Sequence, residues 1–203
     1  MSLLTQASLV LTPNAYKAGT LYSIIPSNGN GDMTVARGTN ATRINSSGVI
    51  ETVGTTIPRL NYDTVGGCPS ILLEPQRTNR LLNSDTVVTQ TIATTGLAMT
   101  VSFFGTGTIT FSGTYTGTLV GTGSNNRVSV VFTPTTGTLT LTVTGTVTKG
   151  QVETGSYATS YFPTTTIPLT RNADNITKTN IYTNGFITST GGTWFIELNN
   201  NFF

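Results

Sequence analysis

Polar and apolar residues alternate along several short stretches of this 203-residue chain. In residues 138–144, Leu139, Leu141 and Val143 alternate with threonines. This alternation predicts a strand with one buried face and one face covered by hydroxyl groups, because successive side chains of a strand point to opposite sides. Similar stretches, bounded by Gly, Pro or Asn, occupy residues 98–104, 108–112, 117–121, 127–133 and 147–152. Strands recurring about every ten residues predict a β-sandwich or jelly roll.

Shorter strand patterns precede this region. They lie at residues 7–11, 21–25, 33–36, 41–45 and 49–53. The stretch 57–84 follows, and we interpret it as the segment around which the chain is organised. In it, residues 58–62 and 70–74 flank Gly66 and Gly67, a spacing that predicts a β-hairpin.

These patterns predict an all-β fold in three parts. Residues 1–84 form an amino-terminal hairpin region, and residues 85–163 form a jelly-roll β-sandwich. Residues 164–203 begin as a polar connector and end in a strong strand pattern at 192–198, which predicts the first strands of a further β domain.

Composition supports strands and excludes several classes of protein. Charged residues make up 9% of the chain, against about 25% in ordinary globular domains. The chain has 45 threonines and 22 glycines, which favour strands and tight turns over helices. The net charge of +2 comes from scattered residues without a basic run, so we expect no nucleic-acid partner.

The amino terminus and the apolar runs indicate neither a secretory signal nor a membrane span. Cys68 is the single cysteine, so we expect no internal disulfide and no cysteine-based metal site.

The absence of histidine argues against an enzyme. It excludes Ser-His-Asp and Cys-His arrangements and the common zinc sites. A pair of carboxylates of the glycosidase kind stays open, but the eight acidic residues show no suggestive clustering. We therefore expect no catalytic residues, no metal and no cofactor.

Charged residues are instead gathered around the 57–84 stretch. Arg59, Glu74 and Arg77 are predicted to form structural ion pairs, because charge-assisted hydrogen bonds are about twice as strong as neutral ones. Arg37 and Arg43 either face an acceptor across the sheet or lie along the surface and pair weakly with Glu51. We favour the second interpretation because exposed pairs contribute little.

Several motifs together resemble a module of tailed-bacteriophage structural proteins called head or tail fibre proteins. They are Pro-Ser-Asn-Gly-Asn-Gly-Asp at 26–32, Ala-Thr-Arg-Ile-Asn at 41–45, Gly-Val-Ile-Glu at 48–51, Pro-Arg-Leu-Asn-Tyr at 58–62, Cys-Pro-Ser-Ile-Leu-Leu-Glu-Pro-Gln-Arg-Thr-Asn at 68–79 and Gln-Val-Glu-Thr-Gly-Ser-Tyr-Ala-Thr-Ser-Tyr-Phe-Pro at 151–163. The resemblance extends from Tyr16 over nearly the whole chain.

The resemblance implies a fibre on the exterior of a virion. It implies a homotrimer attached to capsid or tail proteins through its amino-terminal part. It also implies that the sandwich is similar to carbohydrate-binding modules, and that a lectin-like β domain begins at the 192–198 strand.

A glycan-binding module that contacts host surface polysaccharide is the alternative function. Carbohydrate-binding jelly rolls generally present aromatic rings for stacking on sugars, yet Phe111 and Phe132 are predicted by alternation to lie in the core. Candidate glycan contacts are Tyr115 and a polar loop containing Asn125, Asn126 and Arg127.

Overall fold

The structure, a computed structural model, describes residues 6–62, 67–188, 190–193 and 195. Within these residues the regular elements are β-strands, and every strand pair is antiparallel. The all-β prediction is confirmed. The threonine-rich composition explains it, because β-branched side chains fit a pleated sheet better than a helix.

The strands are numbered in chain order. They are β1 (Val10–Lys17), β2 (Thr20–Ile25), β3 (Met33–Ala36), β4 (Ala41–Ile44), β5 (Ile50–Val53), β6 (Leu60–Asn61), β7 (Ser70–Ile71), β8 (Arg77–Asn79), β9 (Gln90–Thr95), β10 (Met99–Gly105), β11 (Thr108–Gly113), β12 (Gly117–Val120), β13 (Gly123–Phe132), β14 (Thr136–Thr144), β15 (Val147–Thr154), β16 (Leu169–Arg171) and β17 (Asn175–Thr177).

The chain divides into two compact units. The amino-terminal unit contains the described residues up to Pro75 and those from Asn172 onward, and the sandwich unit contains Gln76–Arg171. The segment predicted as a polar connector thus contributes β16 to the sandwich unit and β17 to the amino-terminal unit. Of the strand predicted at 192–198, residues 194 and 196–198 lie outside the described residues.

The amino-terminal unit is built from three small sheets. One has four strands in the order β1-β2-β3-β17, and the others are the pairs β4-β5 and β6-β7. Leu60 pairs with Ile71 in the last of these, which is the hairpin predicted from residues 58–62 and 70–74. In the amino-terminal unit as a whole, the described Leu, Val and Ala residues that are buried are Leu21, Val35, Ala41, Val53 and Leu60.

The sandwich unit has two main sheets, in the orders β13-β10-β15 and β12-β11-β14-β9. Strand β8 extends the first sheet, because the Arg80 amide donates to the Val152 carbonyl at 2.9 Å and the Val152 amide donates to Asn79 Oδ1 at 3.1 Å. The resulting order β8-β15-β10-β13, facing β9-β14-β11-β12, is that of the two four-stranded layers of a jelly roll. The short strand β16 is additional to these eight strands and pairs with β8.

An apolar cluster fills the space between the layers. Its buried members are Leu81, Val87, Ile92, Met99, Val101, Phe103, Ile109, Phe111, Phe132, Leu139, Leu141, Val147 and Val152. Leu139 and Leu141 are buried as predicted, and Val143 packs against the cluster at its margin. The predicted core positions of Phe111 and Phe132 are likewise observed.

A bulge in β15 explains how Val147 and Val152, an odd number of residues apart, both face the core. The pairing of β10 with β15 shifts register around Lys149, whose φ is 47°. The extra residue reverses the alternation of faces beyond it. Gln151 and Glu153 consequently point away from the apolar cluster.

Residues 155–164, here called the closing segment, lie against that outer face of β10 and β15. The Thr100 hydroxyl donates to the Gly155 carbonyl at 2.8 Å, and Gln151 Nε2 lies 3.3 Å from the Thr159 carbonyl. Thr100 and Ser102 are fully buried although they point away from the core. Strands β10 and β15 are therefore covered on both faces.

Candidate functional site

The charged residues of the amino-terminal unit meet in one buried cluster, formed by Arg37, Arg59, Glu74 and Asp174. Arg59 Nη1 donates to Glu74 Oε2 at 2.8 Å, and Arg59 Nε donates to Asp174 Oδ1 at 3.0 Å. Arg59 Nη2 also contacts Asp174 Oδ2. Arg37 Nη1 donates to the same Asp174 Oδ1 at 2.8 Å. Two arginines and two carboxylates therefore balance in charge within this charged cluster.

The electrostatics of the charged cluster favour its ionised form. Burial alone would raise the pKa of Asp174, but the hydrogen bonds and charge of Arg59, with the Glu74 amide and Arg37, lower that pKa below its ordinary value. Burial alone would lower the pKa of Arg59, but Asp174 and Glu74 raise it. Groups that stay in their charged states serve as structural ion pairs and not as general acids or bases.

The sequence interpretation of this cluster identified Arg59 and Glu74, which the structure brings together. It missed Asp174 and interpreted Arg37 as a surface residue, whereas the Arg37 guanidinium is buried and also donates to the Gly54 carbonyl at 2.8 Å. Asp174 lies 115 residues beyond Arg59 in the chain, and no local pattern connects them. The predicted pair of Arg43 with Glu51 is present, at 2.7 Å and partly exposed.

Arg77 lies in the sandwich unit and does not pair with Glu74. Its Nε is 3.7 Å from Glu153 Oε2, and its guanidinium lies over the ring of Tyr157 at 5.3 Å from the centroid. The prediction that Arg77 joins Arg59 and Glu74 is therefore wrong. Arg77 instead contacts Glu153 of β15 and Tyr157 of the closing segment. The physical reason is that the chain passes from one unit to the other between Pro75 and Gln76.

The structure separates the candidate glycan contacts. Tyr115 stacks on Phe132 with 4.3 Å between ring centroids, beside the apolar cluster at the carboxyl end of β13. Asn125 and Asn126 are exposed near the amino end of the same strand. Phe132 lies six positions beyond Asn126 along the strand, a distance of about 20 Å. One small sugar could not contact both groups.

The polar loop predicted around residues 124–127 is part of β13. Between Phe104, opposite Arg127, and Gly105, opposite Gly123, three residues of β13 form a bulge. Arg127 Nη1 donates to the Thr159 carbonyl at 2.6 Å and its Nη2 to Ser102 Oγ at 2.8 Å. Arg127 thus fastens the closing segment to β10.

A second polar network lies beneath the closing segment. Glu153 accepts hydrogen bonds from the Thr159 amide at 2.7 Å and from the Thr159 hydroxyl at 2.7 Å. Gln151 donates to Glu153 Oε1 at 2.8 Å, and its own Oε1 accepts from the Phe162 amide at 3.1 Å. Gln151, Glu153 and Thr159 have no exposed area. This network gives a physical role to the spacing of these residues in the 151–163 motif.

The outer face of the β12-β11-β14-β9 sheet is uncharged. It carries the hydroxyl residues Thr91, Thr108, Thr110, Ser112, Thr118, Thr138, Thr140, Thr142 and Thr144, here called the threonine face. They form cross-strand rows: Thr110 lies opposite Thr118 on one side and Thr142 on the other. Thr140 lies between Ser112 and Thr91 in the next row.

The described part of the chain has no group of three or more Cys, Asp or Glu side chains arranged to hold a metal ion. It also has no helix long and apolar enough to cross a membrane. Cys68 is exposed and forms no disulfide. The polar features on which a function can be built are therefore the charged cluster, the network beneath the closing segment and the threonine face.

Comparisons of the chain with protein-family models, with curated proteins and with solved structures give no match.

Proposed function

We propose that this chain is a structural and assembly segment of a bacteriophage virion appendage, a head or tail fibre on the particle exterior. In this proposal the amino-terminal unit attaches to a capsid or tail protein, and the sandwich unit associates with other copies of the chain, as a homotrimer. The resemblance of the 26–79 and 151–163 motifs to phage fibre modules motivates the proposal.

The threonine face is the observation that supports self-association. A sheet face or edge that stays in water usually carries charged residues, which keep copies of a protein apart. Among the described charged residues, Arg80 reaches only the edge of this sheet, where its Nη1 donates to the Ala93 carbonyl of β9 at 3.1 Å. Four others are paired in the charged cluster. Two uncharged faces can approach without electrostatic repulsion or the cost of removing ions from water. We therefore assign the contact between the three copies of this chain to the threonine face.

Lysine substitution tests this assignment. Thr140→Lys places a charge in the middle of the threonine face, between Ser112 and Thr91. Light scattering coupled to gel filtration should give an oligomer for the parent chain and a monomer for Thr140→Lys. Thr166→Lys, at an exposed position outside the threonine face, should keep the mass of the parent. Equal masses for all three proteins would contradict the proposed use of this face.

The glycan-binding alternative can be tested with the parent chain, Thr166→Lys and one further variant. The separation of Tyr115 from Asn125 and Asn126 does not favour a compact sugar site. A glycan array probed with the full chain should show no binding if the role is structural. Binding that is abolished by Asn126→Ala and retained by Thr166→Lys would instead favour the alternative.

A further inference from the structure

A hydroxyl, a carboxylate and a carboxamide meet in a buried site beneath the closing segment. They belong to Thr159, Glu153 and Gln151, none of which has exposed area. Gln151 and Glu153 are two residues apart on β15 and therefore project from the same face. The closing segment places Thr159 over them, and the Thr159 amide and hydroxyl both donate hydrogen bonds to Glu153.

The hydroxyl of Thr159 is placed as a nucleophile beside a base. Its Oγ1 donates to Glu153 Oε2 at 2.7 Å, which is the geometry in which a carboxylate can take the proton during attack. Gln151 Nε2 donates a hydrogen bond to the same Oγ1 at 3.2 Å, so the hydroxyl and the carboxamide are direct neighbours. Attack on Cδ requires the hydroxyl to move from this N–H donor to the face of the carbonyl group. A hydroxyl needs such a neighbouring base because it is a weak nucleophile at its ordinary pKa.

The carboxamide of Gln151 is placed as the electrophile. Its Oε1 accepts a hydrogen bond from the Phe162 amide at 3.1 Å, and this donor could stabilise negative charge developing on that oxygen. Its Nε2 donates to Glu153 Oε1 at 2.8 Å. The two oxygens of one carboxylate therefore contact the attacking oxygen and the departing nitrogen.

From this arrangement we propose that the chain forms an internal ester bond between Thr159 Oγ1 and Gln151 Cδ, with Glu153 as the catalytic acid and base. The chemistry requires no cofactor and no second molecule. It goes beyond the proposed assembly role, and its test does not depend on that role.

The step balances within the site. Thr159 Oγ1 forms a bond to Gln151 Cδ while its proton passes to Glu153 Oε2, and the tetrahedral oxyanion is held by the Phe162 amide. The carbon–nitrogen bond then breaks as the proton passes from Glu153 to the departing nitrogen, which leaves as ammonia. Glu153 ends as it began, a carboxylate, and the chain has lost one ammonia.

Burial suits both the reaction and its product. Burial away from bulk solvent strengthens the electrostatic effect of Glu153 and of the Phe162 amide, and it slows hydrolysis of an ester. The bond would join β15 covalently to the closing segment, where Arg127 and Gln151 already bind the Thr159 carbonyl. An appendage that must resist force and proteases would gain a permanent fastening at that point.

The mass of one tryptic peptide tests the proposal. Trypsin should release residues 150–171, in which Gln151 is the only carboxamide side chain, so a loss of ammonia there can come from no Asn or other Gln. The peptide from the folded, full-length chain should be lighter than its sequence mass by one ammonia. Cleavage after Glu153 should leave the two pieces joined, and mild hydroxylamine should separate them.

Variants test which side chains form the ester and which side chain acts as the acid and base. Thr159→Val and Glu153→Gln should give the full sequence mass, whereas Thr159→Ser, which keeps a hydroxyl, should still lose ammonia. Thr100→Val is the matched control, because this buried hydroxyl contacts the Gly155 carbonyl and not a carboxamide, and it should behave as the parent. A parent peptide at its full sequence mass, from protein with a β-sheet circular dichroism spectrum after prolonged incubation, overturns the proposal without reference to any variant.

Discussion

The amino-terminal unit buries two arginines and two carboxylates in one cluster, whereas the sandwich unit buries a cluster of thirteen apolar side chains. Only five apolar residues are buried among the described residues of the amino-terminal unit. Few charged residues are present in this chain, and several of them hold the amino-terminal unit together. The comparison teaches that a protein can use its scarce charges internally and leave a broad sheet face without any.

The largest expected effect is in the charged cluster. Asp174→Asn leaves Arg37 and Arg59 buried with a single carboxylate, Glu74, and breaking such a buried pair should destabilise the amino-terminal unit by about 3–5 kcal/mol. Hydrogen exchange at the amides of β3 under increasing denaturant measures this.

Glu51→Gln is the matched control for Asp174→Asn, because it removes the partly exposed pair with Arg43. Exposed pairs contribute about 0–1 kcal/mol, so the control should differ little from the parent. Similar losses for both variants would show that the charged cluster has no special role.

The sandwich unit should instead depend on apolar burial. Leu141→Ala creates a cavity at a fully buried position and should cost about 2–5 kcal/mol. Ser129→Ala, on the exposed face of β13 and outside the threonine face, should change stability by less than about 0.5 kcal/mol. Calorimetry of the two variants measures the difference, and an equal fall in melting temperature would refute the assignment of faces.

A smaller effect is expected where β8 joins the jelly roll. Asn79 is fully buried and donates to the Gly150 and Phe162 carbonyls while accepting from the amides of Leu81 and Val152. Asn79→Asp keeps the shape but removes both donors, and should cost about 2 kcal/mol or more because buried carbonyls lose their partners. Chemical denaturation should show this loss, and a stability equal to that of the parent would exclude a role for Asn79 in holding β8.

The two units should also differ in their response to pH. The pKa of Asp174 is lowered in the fold, so its contribution is complete above its unfolded value, 3.8, and is lost as pH falls through the folded pKa. Burial chiefly raises the pKa of Tyr161, with the Asp85 carboxylate adding to it and the Ser84 hydrogen bond opposing it. The Tyr161 contribution is therefore complete below its unfolded value, 10.0, and is lost as pH rises above it.

Acid should thus weaken the amino-terminal unit first, and alkali the sandwich unit. Hydrogen exchange after brief exposure to each pH, corrected for the intrinsic rate, resolves the two units. Asp174→Asn should reduce the acid effect and Tyr161→Phe the alkaline one. Loss of both units together at either extreme would contradict this difference between them.

Much of the sandwich could be predicted because its strands alternate strictly. The strand predicted at 108–112 is observed as Thr108–Gly113, and the one at 138–144 as Thr136–Thr144. Strand β9 was missed because Ile92 is its one large apolar residue, and β8 and β16 are too short to show a period. The bulge at Lys149 also has no signal in the alternation.

The candidate sites were less predictable because their partners are distant in sequence. The charge of Arg59 suggested an ion pair, but the identity of Asp174 as its partner depends on the return of the chain to the amino-terminal unit in β17. The network of Gln151, Glu153 and Thr159 is local, and its spacing was noted only as part of a family motif. The structure supplies its physical meaning through the hydrogen bonds that converge on Glu153.

Sedimentation equilibrium of the 203-residue parent chain tests the central claim, that copies of this structural chain associate through the uncharged threonine face. The proposal predicts the mass of three chains, dissociating to one chain in Thr140→Lys. A single-chain mass for the parent at every concentration would contradict it.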